Sequence, residues 1–416
     1  MELMKEMKKS ISLERACLYQ LLKADGMGLK HYLRWRELGI TAKEFLESTE
    51  EKNKKYVMQM RAPERLGRNL SECRKNYMEE KALQEYEALQ KEKIQFTIYG
   101  EADYPGRLYD IPNPPMVLYC KGTMPKEDDL NVAIVGARQC SQYGSYVATE
   151  LAKELADAKI TLISGMARGI DGISQEAAVQ KNGSVYAVLG SGVDVCYPRS
   201  NAGLYEKLCI SPDCGVLSEY APGTAARAAL FPPRNRIISG LSDVIVVVEA
   251  CLKSGTLITV DMALEQGKEV YAVPGRVTDR LSDGCNKLIR EGATPFWSPA
   301  EFIREIQEKK DSLLLRRQPD ESKSRMGQDF MGNKPKTTVN CGDRTYADFL
   351  SEPKPSVGLT ETEKSVYAQC DLFPKSADSI LASLPQMNMP EVLCTLTMLE
   401  LKGCITRVGG EYQKSI

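Results

Sequence analysis

Six short apolar runs, at 132–135, 160–163, 185–189, 216–217, 244–248 and 270–273, alternate with helix-patterned stretches at 146–158, 171–180, 201–209 and 259–266. Uninterrupted apolar runs of this length mark strands buried on both faces, and such strands need helices over both sides of one sheet. The alternation predicts an α/β fold built on a doubly wound, mostly parallel sheet. An alternating strand at 94–99, tight turns at Tyr104-Pro105 and Pro114-Pro115, and a short run at 117–119 extend this domain N-terminally, so it is predicted over 94–306.

Both flanks read differently. Leucine and tyrosine recur at helical spacing through 13–22, and residues 1–90 are predicted to form a helical domain. Gly26-Met-Gly28 marks a turn between helices there; a hairpin of that kind can hold a phosphate backbone or simply join two helices. Residues 307–356 are rich in Lys, Arg, Asp, Ser and Pro, which predicts a disordered linker. Order returns at 357–416 with a capping box at Thr360-Glu-Thr-Glu363, helices at 377–384 and 390–401, and a two-stranded wing through 403–412. Short helices followed by a wing form a winged-helix pattern, which serves DNA or protein contacts alike.

Composition removes several function classes. A chain of 416 residues exceeds one core, so roughly two to three domains are expected. No apolar stretch approaches the ~20 residues of a membrane span, and the lysine-bearing start lacks an apolar signal core, so a cytoplasmic protein is expected. The 13 cysteines include no Cys-x-x-Cys pair, which argues for reduced thiols and against zinc or disulfide frameworks. His31 is the single histidine, which excludes two-histidine metal sites, and it stands in the N-terminal helices, where it is poorly placed for a histidine-based triad. No cofactor or metal is expected. The net charge of −1, and 16 Lys+Arg against 17 Asp+Glu over 131–300, mean that any nucleic-acid site must be a local cluster rather than a basic face.

Such a cluster is written at the C-terminal ends of the predicted strands, where ligands of parallel sheets bind. The first strand ends in Gly136-Ala-Arg138, the second in Ser164-Gly165-Met-Ala167-Arg-Gly169-Ile-Asp171, the third in Gly190-Ser191-Gly192, and the fifth reaches Glu249 and then Ser254-Gly255-Thr256. Glycine lets a backbone come close to a ligand, and amides at helix N-termini hold anions, although the same serines and threonines also cap helices. Just ahead of the run at 244–248 stands Phe231-Pro-Pro-Arg234-Asn235-Arg236. Its ring can stack on a base, its guanidinium groups can grip phosphates and its amide can read an edge. Gly136-x-Arg138 lacks the second glycine of the dinucleotide fingerprint, and no Gly-x-x-x-x-Gly-Lys-[Ser/Thr] loop exists. Asp171 is open between a base or ribose contact and a helix cap. Glu249 is open between orienting a polar side chain and hydrolysing a glycosidic bond. Tyr197-Pro198 is open between supplying another ring and packing a turn, with turn packing favoured.

These motifs, together with Ser218-Glu219, Pro274-Gly275 and the spacing over 94–297, resemble the DNA-processing protein A family, in which the Phe-Pro-x-Arg-Asn-Arg run is highly specific. The resemblance implies an extended Rossmann-like domain flanked by an N-terminal helical domain and a C-terminal winged-helix domain. It implies a non-enzymatic protein that binds single-stranded DNA, dimerises, and loads RecA recombinase onto incoming strands during natural transformation. In the family the strand lies at the positions matching Arg138, the 164–171 turn, Gly190 and 231–236. Two departures stand out. Ser174-Gln175 replaces the usual Ala-His, so a titrating role is lost there, and Arg227 is the nearest cation where the family often has a lysine. The alternative is a nucleotide-processing enzyme of phosphoribohydrolase type using Glu249 and Arg138, although Lys253-Ser-Gly-Thr256 departs from the usual turn of such enzymes. A regulator acting through the winged helix alone is the third reading.

Overall fold

The computed structural model describes residues 2–315, 359–370, 375–384, 386–402, 404–408 and 411–414. The chain divides into two compact units, Met1–Gly327 and Gln328–Ile416. Helices α1 (Glu2–Leu22), α2 (Leu29–Glu37), α3 (Ala42–Glu47), α4 (Glu50–Gln59), α5 (Glu64–Lys75) and α6 (Glu79–Lys91) open the first unit. Strands β1 (Ile94–Ile98) and β2 (Val117–Gly122) follow. Next come β3 (Asn131–Val135), α7 (Gln142–Asp157), β4 (Thr161–Ser164), α8 (Ile170–Gln180), β5 (Val185–Val188), α9 (Ala202–Ile210) and β6 (Cys214–Ser218). The second half runs α10 (Phe231–Leu241), β7 (Val244–Val247), α11 (Gly255–Glu265), β8 (Glu269–Ala272), α12 (Asp283–Arg290), β9 (Thr294–Pro295), α13 (Pro299–Glu308) and α14 (Lys310–Leu315).

Among the described residues these strands form a nine-stranded sheet in the order β1-β2-β6-β5-β4-β3-β7-β8-β9. Strands β3 to β9 run parallel, while β1 and β2 add an antiparallel edge. Alternate residues of each strand feed opposite cores, as the two-residue period of a strand requires. Val132, Ile134, Leu162, Val185, Val244 and Val246 pack with residues of α7, α8, α9 and α13 on one face. Ala133, Val135, Ile163, Val188, Ile245 and Val247 pack with α10, α11 and α12 on the other. The extended, doubly wound α/β sheet read from the apolar runs is the fold of the protein.

Four readings need adjustment. The boundary near residue 90 separates kinds of element, not cores: Leu18, Tyr32, Trp35 and Leu70 share one hydrophobic core with Phe96 of β1 and Tyr119 of β2. Burial of the outer face of the antiparallel edge is what joins the two regions. The segment from 307 is helical as far as Leu315, because Phe302, Ile303, Ile306 and Leu313 bury against the sheet domain; the rest of the expected linker lies outside the described residues. Helices α7 and α11 start earlier than their apolar pattern, since Ser141 and Ser254 accept from Gly144 N (3.1 Å) and Thr256 N (3.2 Å) and so fix their first turns. Residues 231–241, absent from the helix-patterned stretches, are a helix, with both prolines in the first turn, where no backbone donor is needed.

The second unit holds α15 (Glu361–Gln369), α16 (Ala377–Ala382) and α17 (Met389–Leu401), then an antiparallel hairpin of β10 (Ile405–Val408) and β11 (Glu411–Lys414). Thr360 and Glu363 form the expected capping box. Gly403, Gly409 and Gly410 of the expected wing lie outside the described residues. Among the described residues no helix is long and apolar enough to cross a membrane.

Candidate nucleic-acid interface

The strand order reverses between β3 and β7, so the crevice of the sheet opens beyond the C-terminal ends of β3, β4 and β7. The turn after β4 crosses this edge. Gly169 has φ 75°, and a Cβ there would lie 2.2 Å from Ala137 O and 2.6 Å from Arg138 O, so only glycine lets the turn rest on the backbone of residues 137–138. Ile170 N closes the contact by donating to Ala137 O (3.2 Å). Ser164 is fully buried and its hydroxyl donates to Ile134 O (2.7 Å), so it braces the strands and does not face a ligand.

Beneath this turn lie two buried side chains of opposite charge type, Arg234 and Asp171. Arg234, 4 % exposed on α10, donates to Gly165 O (3.0 Å) and Val188 O, and its Nε donates to Asn235 Oδ1 (3.1 Å). Asp171, 7 % exposed at the start of α8, accepts from Gly165 N (3.2 Å). A Cβ on Gly165 would come within 2.7 Å of Arg234 Nη2 and 2.8 Å of Asp171 Oδ2, so the glycine admits both groups. Burial lowers the Arg234 pKa to about 10, against the pull of Asp171. The guanidinium remains a cation at neutral pH. Burial likewise raises the Asp171 carboxyl, while Arg234 and Arg138 oppose it. Gln175 adds a further brace: its Oε1 accepts from Met166 N and its Nε2 donates to Tyr186 O, both at 3.0 Å. An uncharged amide can do both at once, which gives Gln175 a physical role in place of the family's histidine.

These bonds redistribute the predicted roles. The amides of Gly165 and Met166 are spent on side chains within the protein. Arg234 supports the turn from below. Arg236 is held too: its Nη1 and Nη2 form a bidentate pair with Glu219 (2.6 and 2.7 Å), and its Nε donates to Asn113 O (2.7 Å). Burial works to lower the Arg236 pKa, but Glu219 outweighs it and the net shift is upward. The expectation that the guanidinium groups of 231–236 grip phosphates meets a different arrangement: both arginines have internal partners. Glu249 is likewise committed, accepting from Ser141 N (2.9 Å) and Ser141 Oγ (2.5 Å) at the start of α7. Thr256 Oγ1 donates to Gly136 O (3.1 Å), which ties the Ser254-Gly255-Thr256 turn to the end of β3. Ser191 is buried and donates to Val195 O (3.0 Å).

What faces outward is a smaller set. Phe231 is partly exposed, with its ring 5.6 Å from that of Tyr197. The guanidinium carbons of Arg138 and Arg234 lie 5.8 and 5.9 Å from the Phe231 centroid, within cation–π range. A Cβ on Gly190 would come 2.9 Å from Phe231 Cδ1, so that glycine makes room for the ring. Arg138 and Arg227 are exposed, while Ala167 and Asn235 are partly so. The structure also brings in residues beyond the predicted site set. Tyr197 is a partner of Phe231 rather than turn packing alone. Arg168 is exposed within the turn itself. Arg199 is exposed just before Asn201, whose amide donates to Met166 O and Ala167 O and so joins that loop to the turn. A cation inside a glycine turn was the signal available for Arg168; Arg199 had none.

Sheet order, crevice and edge turns define a Rossmann-like α/β protein. The DNA recombination-mediator protein A family model matches residues 95–307, and the chain belongs to that family. It is 40 % identical to the DNA processing protein DprA of Streptococcus pneumoniae over 221 residues, 53 % of this chain and 77 % of that one. It is 33 % identical to the Smf protein of Escherichia coli over 309 residues, 74 % of each chain. The X-ray structure of the pneumococcal DNA processing protein A superimposes with a TM-score of 0.58 at 32 % identity, covering 69 % of this chain and 96 % of that one.

Proposed function

We propose that this protein binds single-stranded DNA along the β3–β5 edge, protects incoming strands and loads RecA recombinase onto them during natural transformation. The observation that carries the reading is the pairing of Phe231 and Tyr197 beside the exposed Arg138. Rings that can meet an unpaired base stand next to a cation that can meet its phosphate, and each stacked base contributes roughly 1–3 kcal/mol. Arg168 within the turn, and Arg199 and Arg227 on neighbouring loops, are exposed as further cations. Among the described residues no protein acceptor takes the amides of Ala167, Arg168 and Gly169, which leaves them for a phosphate. Gly136 and the Ser254-Gly255-Thr256 turn lie at the same sheet edge.

The reading is of a binding protein rather than an enzyme, since Glu249, the carboxylate a hydrolase would use, is 1 % exposed and held by Ser141. A homodimer, a cytoplasmic location and a winged-helix character for the second unit belong to the same proposal and rest on membership of the family. Fluorescence anisotropy with labelled oligo-dT against a matched duplex, across a salt series, tests it. Salt-sensitive preference for the single strand is expected; equal affinity for duplex, or no binding at low salt, rejects the reading.

A further inference from the structure

The α4–α5 hairpin carries a feature that the strand-binding edge does not use. The two helices approach closely at Gly67, where a Cβ would lie 2.8 Å from Val57 Cγ1, and beside that crossing runs an open groove of about 690 Å³. Val57, Met58 and Ala62 supply its apolar lining, and Lys54, Arg68 and Lys75 supply cations. Met58 is 80 % exposed, a large apolar side chain left in water with nothing over it. Unbranched methionine adapts its shape to an incoming surface.

Charge is concentrated here. Residues 50–76 hold eight lysines and arginines against four glutamates, although the whole chain carries a net charge of −1. Lys54 pairs with Glu50 (2.9 Å) and Arg65 with Asp25, but among the described residues the side chains of Lys52, Lys55, Arg61, Arg68 and Lys75 form no ion pair. A purely solvated helix surface needs no such excess of one sign, nor an exposed methionine at its centre.

We propose that this groove docks an acidic, amphipathic segment of a partner protein, with apolar side chains on Val57 and Met58 and carboxylates reaching Lys54, Arg68 and Lys75. Helix-in-groove recognition uses this combination of apolar anchors and complementary charge. A nucleic-acid strand fits less well. Glu64 and Glu72 also line the groove and would repel a continuous phosphate backbone, and the lining has no aromatic ring on which a base could stack. A peptide can place its carboxylates selectively. The proposal does not rest on the single-strand reading.

The test uses the full chain and a fluorescein-labelled helical peptide of glutamates and leucines, followed by anisotropy. Two control peptides replace the leucines by serine or the glutamates by lysine. Wild type should bind the first peptide, and neither control should match it. The double variant Arg68→Glu, Lys75→Glu should weaken binding by about tenfold or more, and Met58→Ser should weaken it less. These residues are at the surface, so melting temperature and oligo-dT affinity should be unchanged in the variants. No binding by wild type, equal binding by the double variant, or equal binding of the serine control would each overturn the proposal. Displacement of the peptide by oligo-dT would reassign the groove to nucleic acid.

Discussion

Two glycine-containing turns end neighbouring halves of the same sheet, one after β4 and one after β7. The first is wired downward: Gly165 N, Gly165 O and Met166 N all bond to side chains buried beneath the turn. The second is wired sideways and lightly, through Ser254 to Thr256 and Thr256 to Gly136 O, and Cys251, Leu252 and Lys253 beside it are exposed. The lesson is that a glycine turn near a ligand can be shaped either by what lies under it or by its own helix cap. The first kind holds a fixed geometry for amides and cations at the cost of burying an arginine and a carboxyl. The second is set by its own serine cap and one bond to the end of β3.

The largest test of that contrast is Arg234→Ala. Removing the cation leaves Asp171 buried without the main charge that opposes its desolvation and leaves two carbonyls without their donor, a change that costs about 3–5 kcal/mol. Urea denaturation should show this loss. Unchanged stability with lost DNA affinity would mean instead that Arg234 leaves its pocket to grip phosphate. Next comes a matched pair of glycine variants. Gly169→Ala places a side chain at φ 75° against two carbonyl oxygens and should cost about 1–3 kcal/mol. At Gly255 a Cβ meets nothing within 4 Å, so Gly255→Ala should stay within about 0.5 kcal/mol. Similar melting temperatures for the two would erase the distinction between the turns.

Asp171 offers a pH test of the same wiring. Burial holds its carboxyl above the ordinary value even with Arg234 and Arg138 opposing. A raised carboxyl pKa gives stability that is complete below the unfolded value, about 4, and is lost as pH rises through the folded value. The stability gap between wild type and Asp171→Asn should therefore shift in favour of the variant as pH rises above about 4. A gap that stays constant as pH rises would show that the folded protein does not raise this pKa.

Strands β3 to β8 were legible because both of their faces are buried, so their apolar runs have no competing explanation. The N-terminal helices were legible as helices, but not as part of the same core, because their partners Phe96 and Tyr119 sit on an antiparallel edge that only the tertiary fold creates. Helix α10 was not among the helix-patterned stretches because Pro-Pro and two arginines interrupt its apolar pattern, although prolines are at home in a first helical turn. The roles of Arg234 and Arg236 were hidden for a related reason: periodicity reports where apolar residues go and is silent about buried cations that bond to carbonyls or to Glu219. Arg138 and Phe231 could be found from their motifs, and the structure places them together.

The finest test separates the arginines by what they do at the surface. Arg138 is exposed over Phe231, so Arg138→Ala should weaken oligo-dT binding and flatten the log K against log [salt] slope by about 0.7, the release expected from one single-strand phosphate contact. Arg236 is neutralised in place by both oxygens of Glu219, so Arg236→Ala should leave that slope almost unchanged. Glu219→Gln completes the comparison. If the carboxylate is what withholds Arg236 from the strand, its removal should steepen the slope towards one further contact. If Arg236→Ala instead flattens the slope as much as Arg138→Ala, the Glu219 pair opens on binding and the two arginines act alike.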